Sequence, residues 1–203
     1  MFFLLYSLML KYPYESFYPV SLWDTLEAAK WLTRTGWMMR GIPGSDAETV
    51  SQHSWEAAVI AFLIASRTKS RGVEVNPYRA ATIALFHDLL EGIIGDIPRY
   101  VGSLLGEVKN DLERKALREL QVDLEVKEMI EEWLSKRSIE SRIAHVADAV
   151  ATYLQALRYM RNSYPRVEEI AQSMRSKAIE EAKGSVFEDI TMGLILEIEK
   201  AVP

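Results

Sequence analysis

A chain of 203 residues with 49% hydrophobic content can bury a sizeable core, enough for one large domain. Its formal net charge of −5 speaks against binding bulk nucleic acid, whose affinity comes from many Lys and Arg contacts to phosphates, although one small phosphate substrate stays open. The absence of cysteine excludes disulfide scaffolds, thiolate nucleophiles and Cys-based zinc sites, and fits a cytoplasmic protein.

The N-terminal run MFFLLYSLML is apolar, but far shorter than the roughly 20 residues that cross a bilayer. It also lacks the basic flank and small-residue cleavage site of a secretory signal. Residues 1–20 are expected to form an apolar arm packed on the body or on a partner chain, with no membrane role, ahead of one domain over residues 21–203.

Almost every long segment after the arm repeats its apolar residues with the 3.6-residue period and none alternates strictly, which predicts an all-α fold. A first helix runs from Ser21 or Asp24 to about Thr33. The loop TGWMMRGIPGSDAE follows, long enough in a compact domain to suggest a function. Thr49 to Gln52 reads as a capping box opening a helix to about Arg67, whose AAVIAFLIA stretch is expected to be buried on nearly all sides. Asn76-Pro77 starts another helix, which runs through ATIALFHDLL and stops near Gly92 or Gly95.

Gly106 to Gln121 is expected to be a charged, exposed helix, and Leu124 to Leu134 a shorter one whose Glu125 to Glu132 run is a solvated face. Ser138 caps a long helix to about Arg161, with Ile143, Val146, Val150, Leu154 and Leu157 facing inward. Pro165 opens a helix ending near Gly184, and Val186 to about Ala201 closes the chain.

The chemistry lies where polar side chains interrupt these apolar helices. His53 sits one turn into the AAVIAFLIA helix, His87-Asp88 ends the next, and Asp148 falls in AHVADAVATYLQA with no basic neighbour in sequence to pair with. Taken singly, each histidine is an ordinary satisfied core residue; the set, with two imidazoles and two carboxylates, suits a divalent transition metal such as Co, Mn, Ni, Fe or Zn. His145, three residues before Asp148, is a supporting partner or an alternative ligand. Glu91, one turn after His87, is placed for proton transfer beside such a metal, and Asp96 for accepting a hydrogen bond from a substrate hydroxyl. The bland alternative makes these two a solvated helix end and a turn acid.

In this order, His53, His87-Asp88 and Asp148 resemble the H…HD…D signature of the HD-domain metal-dependent phosphohydrolases. HDLLEGIIGD, His87 to Asp96, resembles the HD-x-x-E-x-x-x-G-D string of the branch containing bacterial 5′-deoxynucleotidases and their eukaryotic and archaeal relatives. TRTGWMMRGIPGSDAETVSQHS, Thr33 to Ser54, is similar to that branch's loop into the first ligand histidine, and the match runs from about Leu26 to Leu157.

The resemblance implies that residues 21–203 form an HD domain in a dimeric enzyme that removes the 5′-phosphate from deoxyribonucleoside monophosphates. It implies His53, His87, Asp88 and Asp148 as metal ligands, Glu91 as the acid/base group and Asp96 as the partner of the sugar 3′-hydroxyl. The loop offers Arg34 for the phosphate, with Arg40 competing, and Trp37 as a wall against the sugar. Two alternatives stay open: hydrolysis of another ester, such as a nucleoside triphosphate or cyclic nucleotide, and a non-catalytic nucleotide-binding module. Few basic residues near the motifs weigh against the first, and the presence of Glu91 and Asp96 against the second.

Overall fold

Capping chemistry in the sequence sets the helix starts. The structure, a computed structural model, describes residues 20–202, so the expected N-terminal arm lies outside the described residues except for Val20. The Ser21 hydroxyl accepts the Asp24 N–H at 3.1 Å and opens α1, Leu22–Trp31. The loop beyond α1 is pinned where it leaves and where it returns. Arg34 N–H donates to Glu48 O at 3.0 Å and Val50 N–H to Leu32 O at 2.9 Å. Inside it lies a short helix not anticipated from sequence, α2, Thr35–Met38, and Trp37 and Ile42 are each 2% exposed.

Thr49 and Gln52 form both bonds of the capping box and start α3, Val50–Ser70. This helix is not buried all round. Ala57, Ala61, Ile64 and Ala65 face the core, whereas Trp55, Val59, Phe62 and Leu63 are exposed. Among the described residues α3 packs mainly on two helices, the one that follows it and the long helix that carries Asp148.

Asn76 Oδ1 accepts the Tyr78 and Arg79 N–H groups and opens α4, Pro77–Phe86. The expected continuation to Gly92 or Gly95 does not occur. The chain tightens after Phe86 into i→i+3 bonds, with Glu91 N–H on Asp88 O at 3.0 Å and Gly92 N–H on Leu89 O at 3.1 Å, before the single turn α5, Glu91–Ile94. Gly95, at φ 82, ends that turn in a conformation that favours glycine.

Then come α6, Arg99–Leu105, absent from the sequence reading, and α7, Glu107–Glu119. A two-residue β2, Leu120–Gln121, pairs in parallel with β1, Val20–Ser21. The chain ends through α8, Leu124–Ser135, α9, Ile139–Arg161, a 3₁₀ turn at Pro165–Val167, α10, Glu168–Ala182, and α11, Glu188–Ala201. The all-α expectation holds apart from the small two-stranded pairing.

α9 is the central helix, packed by α3, α4 and α10. Ile143, Val146 and Val150 are fully buried as expected, and Ala144, Ala147, Ala149 and Ala151 join them. Their small side chains let neighbouring helices approach from several directions. Leu154 and Leu157 are only partly buried at the edge of this core. A smaller apolar cluster of Leu89, Leu90, Leu117, Leu120 and Ile130 holds the turn after α4 against α7 and α8. Among the described residues no helix is long and apolar enough to cross a membrane.

Gly92 permits the contact of α5 with α1, because a Cβ there would lie 2.5 Å from Thr25 O and 2.9 Å from Thr25 Cγ2. Gly92→Ala is therefore expected to destabilise the protein by about 1–3 kcal/mol through forced backbone movement. Urea unfolding measures this; an unchanged midpoint and slope would show that α1 yields freely.

Candidate metal centre and active site

Three separate stretches deliver the polar cluster. The Thr49 cap sets the start of α3 and so directs His53 inward, the tight turn after α4 carries His87 and Asp88, and Asp148 lies midway along α9. His53 Nε2 is 3.1 Å from Asp148 Oδ1 and 3.8 Å from Asp88 Oδ2. His87 Nε2 is 3.0 Å from Asp88 Oδ2 and 3.9 Å from Asp148 Oδ1. Donors bound at about 2.1 Å to one ion stand about 3.0–3.4 Å apart in octahedral or tetrahedral arrangements, so these spacings fit a shared cation after small adjustments. His53, His87 and Asp148 form a group able to hold a metal ion, each offering one ligand atom within 4.8 Å of the others.

Each side chain is oriented by a further contact. His87 Nδ1 lies 2.7 Å from Ala84 O, a backbone acceptor that leaves Nε2 facing the cluster. Asp148 Oδ2 takes a bond from Lys177 Nζ at 2.9 Å. The basic partner that the neighbouring sequence lacked thus comes from α10.

The groups perturb one another strongly. Burial pushes the Asp88 carboxyl up, but His87, His53 and Arg34 outweigh it and hold it at about 2. Burial likewise opposes ionisation of Asp148, yet Lys177 and the two histidines keep it well below the usual carboxylate range. For His53, burial and Arg34 disfavour charge, while Asp148 and Glu48 prevail and raise it to about 9 in the metal-free protein. Glu91 goes the other way: burial, then the charges of Asp88 and Asp96, push it up to about 10, and its buried Oε2 has no hydrogen-bond partner among the described residues.

A cavity of about 780 Å³ opens over the cluster, with Arg34, Glu91, Asp96, Lys109 and Lys177 in its walls. Arg34 Nη1 donates to Thr152 Oγ1 at 3.2 Å, and although burial disfavours its charge, Glu48, Asp88, Asp148 and Glu91 keep it protonated. Asp96 Oδ2 accepts the Thr35 N–H at 2.5 Å, tying the turn after α5 to the loop that holds Arg34. Trp37 borders the cavity but is 2% exposed, donates through Nε1 to Glu48 Oε2 at 3.0 Å and packs edge-on against Tyr159. Its indole is thus spent mostly on the core. Arg40 also borders the cavity, bound to Glu169 at 3.0 Å.

His145 stands outside the ligand cluster. Its Nε2 lies 3.0 Å from Trp133 O, its ring stacks on the Trp133 indole, and burial pushes it down to about 4. Trp133 in turn meets the His87 ring edge-on, with centroids 4.7 Å apart. Sequence reasoning passed over Trp133, Lys177 and Glu48. The one legible signal was a tryptophan within a charged helix; the two charged residues look like surface until the chain is folded.

The scarcity of basic residues also proves local to the sequence. Arg99, Lys109, Lys136 and Lys177 reach the cavity from α6, α7, the end of α8 and α10. Lys109 is paired with Glu113, Lys136 with Glu181 and Lys177 with Asp148, whereas Arg99 donates to the neutral Ser173 hydroxyl.

A helical bundle whose interior gathers two histidines and two aspartates from three helical stretches defines a class of helical proteins with an internal polar cluster able to hold a cation. The chain belongs to the HD domain family, which matches residues 26–189. It is similar to mouse 5′-deoxynucleotidase HDDC2, at 30% identity over 73% of this chain and 74% of the mouse protein. It is also similar to a 5′-deoxynucleotidase of Klebsiella pneumoniae, at 31% identity over 54% of this chain and 60% of that protein, so it spans less than two thirds of that relative. Among solved structures, a conserved hypothetical protein from Pyrococcus furiosus superposes with TM-score 0.74 at 29% identity, over 88% of this chain and 98% of that one.

The charge pattern predicts how the metal-free protein responds to pH. The raised His53 contributes stability that is complete below its ordinary 6.5 and is lost as pH climbs through about 9. Glu91 adds the same sign, since keeping it protonated costs more as pH rises from 4.5 towards about 10. The melting temperature measured in chelator is expected to fall from pH 6.5 to 9. Glu91→Gln is expected to flatten part of that fall. A melting temperature that climbs across this interval would refute the charge assignment.

Proposed function

We propose that the protein is a metal-dependent 5′-deoxynucleotidase that hydrolyses deoxyribonucleoside 5′-monophosphates to deoxyribonucleosides and phosphate. The observation that carries this reading is the convergence of His53, His87, Asp88 and Asp148 in one cavity with Glu91, whose Oε2 is buried. These four side chains hold a divalent transition metal, Co, Mn, Ni, Fe or Zn. When bound, the cation supplies Lewis acidity towards water and a phosphoryl oxygen.

The remaining work falls to the chain. Arg34, fixed by Thr152 and permanently charged, binds the phosphate. Glu91, whose Oε2 has no other partner among the described residues, delivers a proton to the 5′-oxygen as the P–O bond breaks and the water oxygen bonds to phosphorus, and a proton of that water then returns to Glu91. Asp96 accepts the sugar 3′-hydroxyl with the oxygen not committed to Thr35. Trp37 meets the sugar only through the narrow rim that its burial leaves.

The cavity volume suits a nucleoside monophosphate, within the roughly 300–1,000 Å³ of small-molecule sites. The names of the mouse and Klebsiella relatives support the same substrate class. The three cavity lysines, Lys109, Lys136 and Lys177, already face carboxylates, which favours one phosphate over three. The protein works as a homodimer on this reading, supported by the exposed row of Trp55, Val59, Phe62 and Leu63 and by Tyr78, whose ring lies 5.5 Å from that of Phe62.

The expected outcome is phosphate release from deoxynucleoside monophosphates that EDTA abolishes and a transition metal restores, with little release from triphosphates. Glu91→Gln should retain metal and lower turnover by on the order of 10²-fold. Full activity in excess EDTA would remove the proposal.

A further inference from the structure

Glu48 is the last residue before the Thr49 cap, and its side chain is 8% exposed. A carboxylate so buried demands partners, and it has three. Its Oε2 accepts the Trp37 indole N–H at 3.0 Å and lies 3.9 Å from Arg34 Nη1, while Oε1 faces His53 Nδ1 at 3.4 Å. Its backbone is held too: the N–H donates to Tyr159 Oη at 2.8 Å, and the carbonyl accepts the Arg34 N–H at 3.0 Å.

His53 is fully buried, and its Nδ1 has no hydrogen bond within normal geometry. A histidine that binds a cation through Nε2 carries its remaining proton on Nδ1, and that buried N–H needs an acceptor. His87 meets this requirement with the backbone, through Ala84 O. For His53 the acceptor facing it is a charged side chain.

Resting on the metal-centre reading above, we propose that Glu48 is a positioning residue, which keeps the His53 proton on Nδ1 and turns Nε2 towards Asp88 and Asp148. The same carboxylate anchors the loop carrying Arg34 and Trp37. The cation site and the phosphate-binding arginine therefore share one support, and loss of Glu48 loosens both. Burial opposes the Glu48 charge, but the His53, Arg34 and Trp37 contacts outweigh it and hold the carboxyl below its ordinary range.

Glu48→Gln preserves the shape and removes one of two acceptors. Its single carbonyl oxygen serves either Trp37 or His53, and the amide then points N–H groups at the other donor. Titration of Zn or Co into the metal-stripped protein is expected to show a dissociation constant about 10–100-fold higher in Glu48→Gln than in the wild type. KM for a deoxynucleoside monophosphate is expected to rise with it, and the metal-free melting temperature to fall, because Glu48 is one of the groups that hold the buried His53 charge. Trp37→Phe, which removes the N–H bond that pins Glu48 but leaves the carboxylate, should weaken metal binding by a smaller factor and carries the test if Glu48→Gln folds poorly.

Metal affinity within twofold of wild type in both variants would overturn the role of Glu48 and leave the metal centre standing. Failure of the wild type itself to bind metal would overturn both. Because the primary readout is metal binding, the outcome bears on Glu48 whether or not the substrate is a nucleotide.

Discussion

The structure depends on balancing Asp148, a carboxylate set midway along the helix that every major neighbour packs against. Left unpaired there, the charge would cost more than the surrounding alanines return by close packing. The fold surrounds it with His53 from α3, His87 from the end of α4 and Lys177 from α10, which are the three helices packed on α9. Balancing one anion and assembling a candidate cation site are thus the same arrangement.

Two carboxylates on neighbouring turns show how position sets chemistry. Asp88 and Glu91 are both partly buried in the cavity wall, yet Asp88 is held at about 2 by His87, His53 and Arg34, while Glu91 is pushed up to about 10 by burial and by Asp88 and Asp96. The split follows from which groups each one faces. In the metal-free protein the surroundings thus push the two carboxyls apart, one towards ionisation and the other towards holding its proton. Between them the chain leaves the α-helix for the tightened turn, with i→i+3 bonds from Glu91 N–H to Asp88 O and from Gly92 N–H to Leu89 O.

The loop between α1 and α3 contributes through its buried parts. Trp37 looks from sequence like a wall for substrate, and the structure turns nearly all of it into the core. Its indole N–H reaches Glu48, and Glu48 reaches His53 and Arg34. Asp96, bonded to the Thr35 N–H, fastens the other side of the loop to the turn after α5. Arg34, which faces the cavity, is in this way held by Glu48, which does not.

The helical period, the caps at Ser21, Thr49, Asn76 and Ser138, and the order of His53, His87-Asp88 and Asp148 were legible in the residues alone, because backbone capping and helical spacing act over a few positions. The outer face of α3 misled that reading, since it repeats apolar residues as a core helix does and differs in that Trp55, Val59, Phe62 and Leu63 stay exposed there. The break after Phe86, the pairing of Lys177 with Asp148, the stacking of His145 on Trp133 and the place of Glu48 beneath His53 arose only when the helices packed. Each joins groups from different elements or balances helix geometry against packing, and the energy of a buried charge depends on what surrounds it in space, which no local pattern of residues encodes.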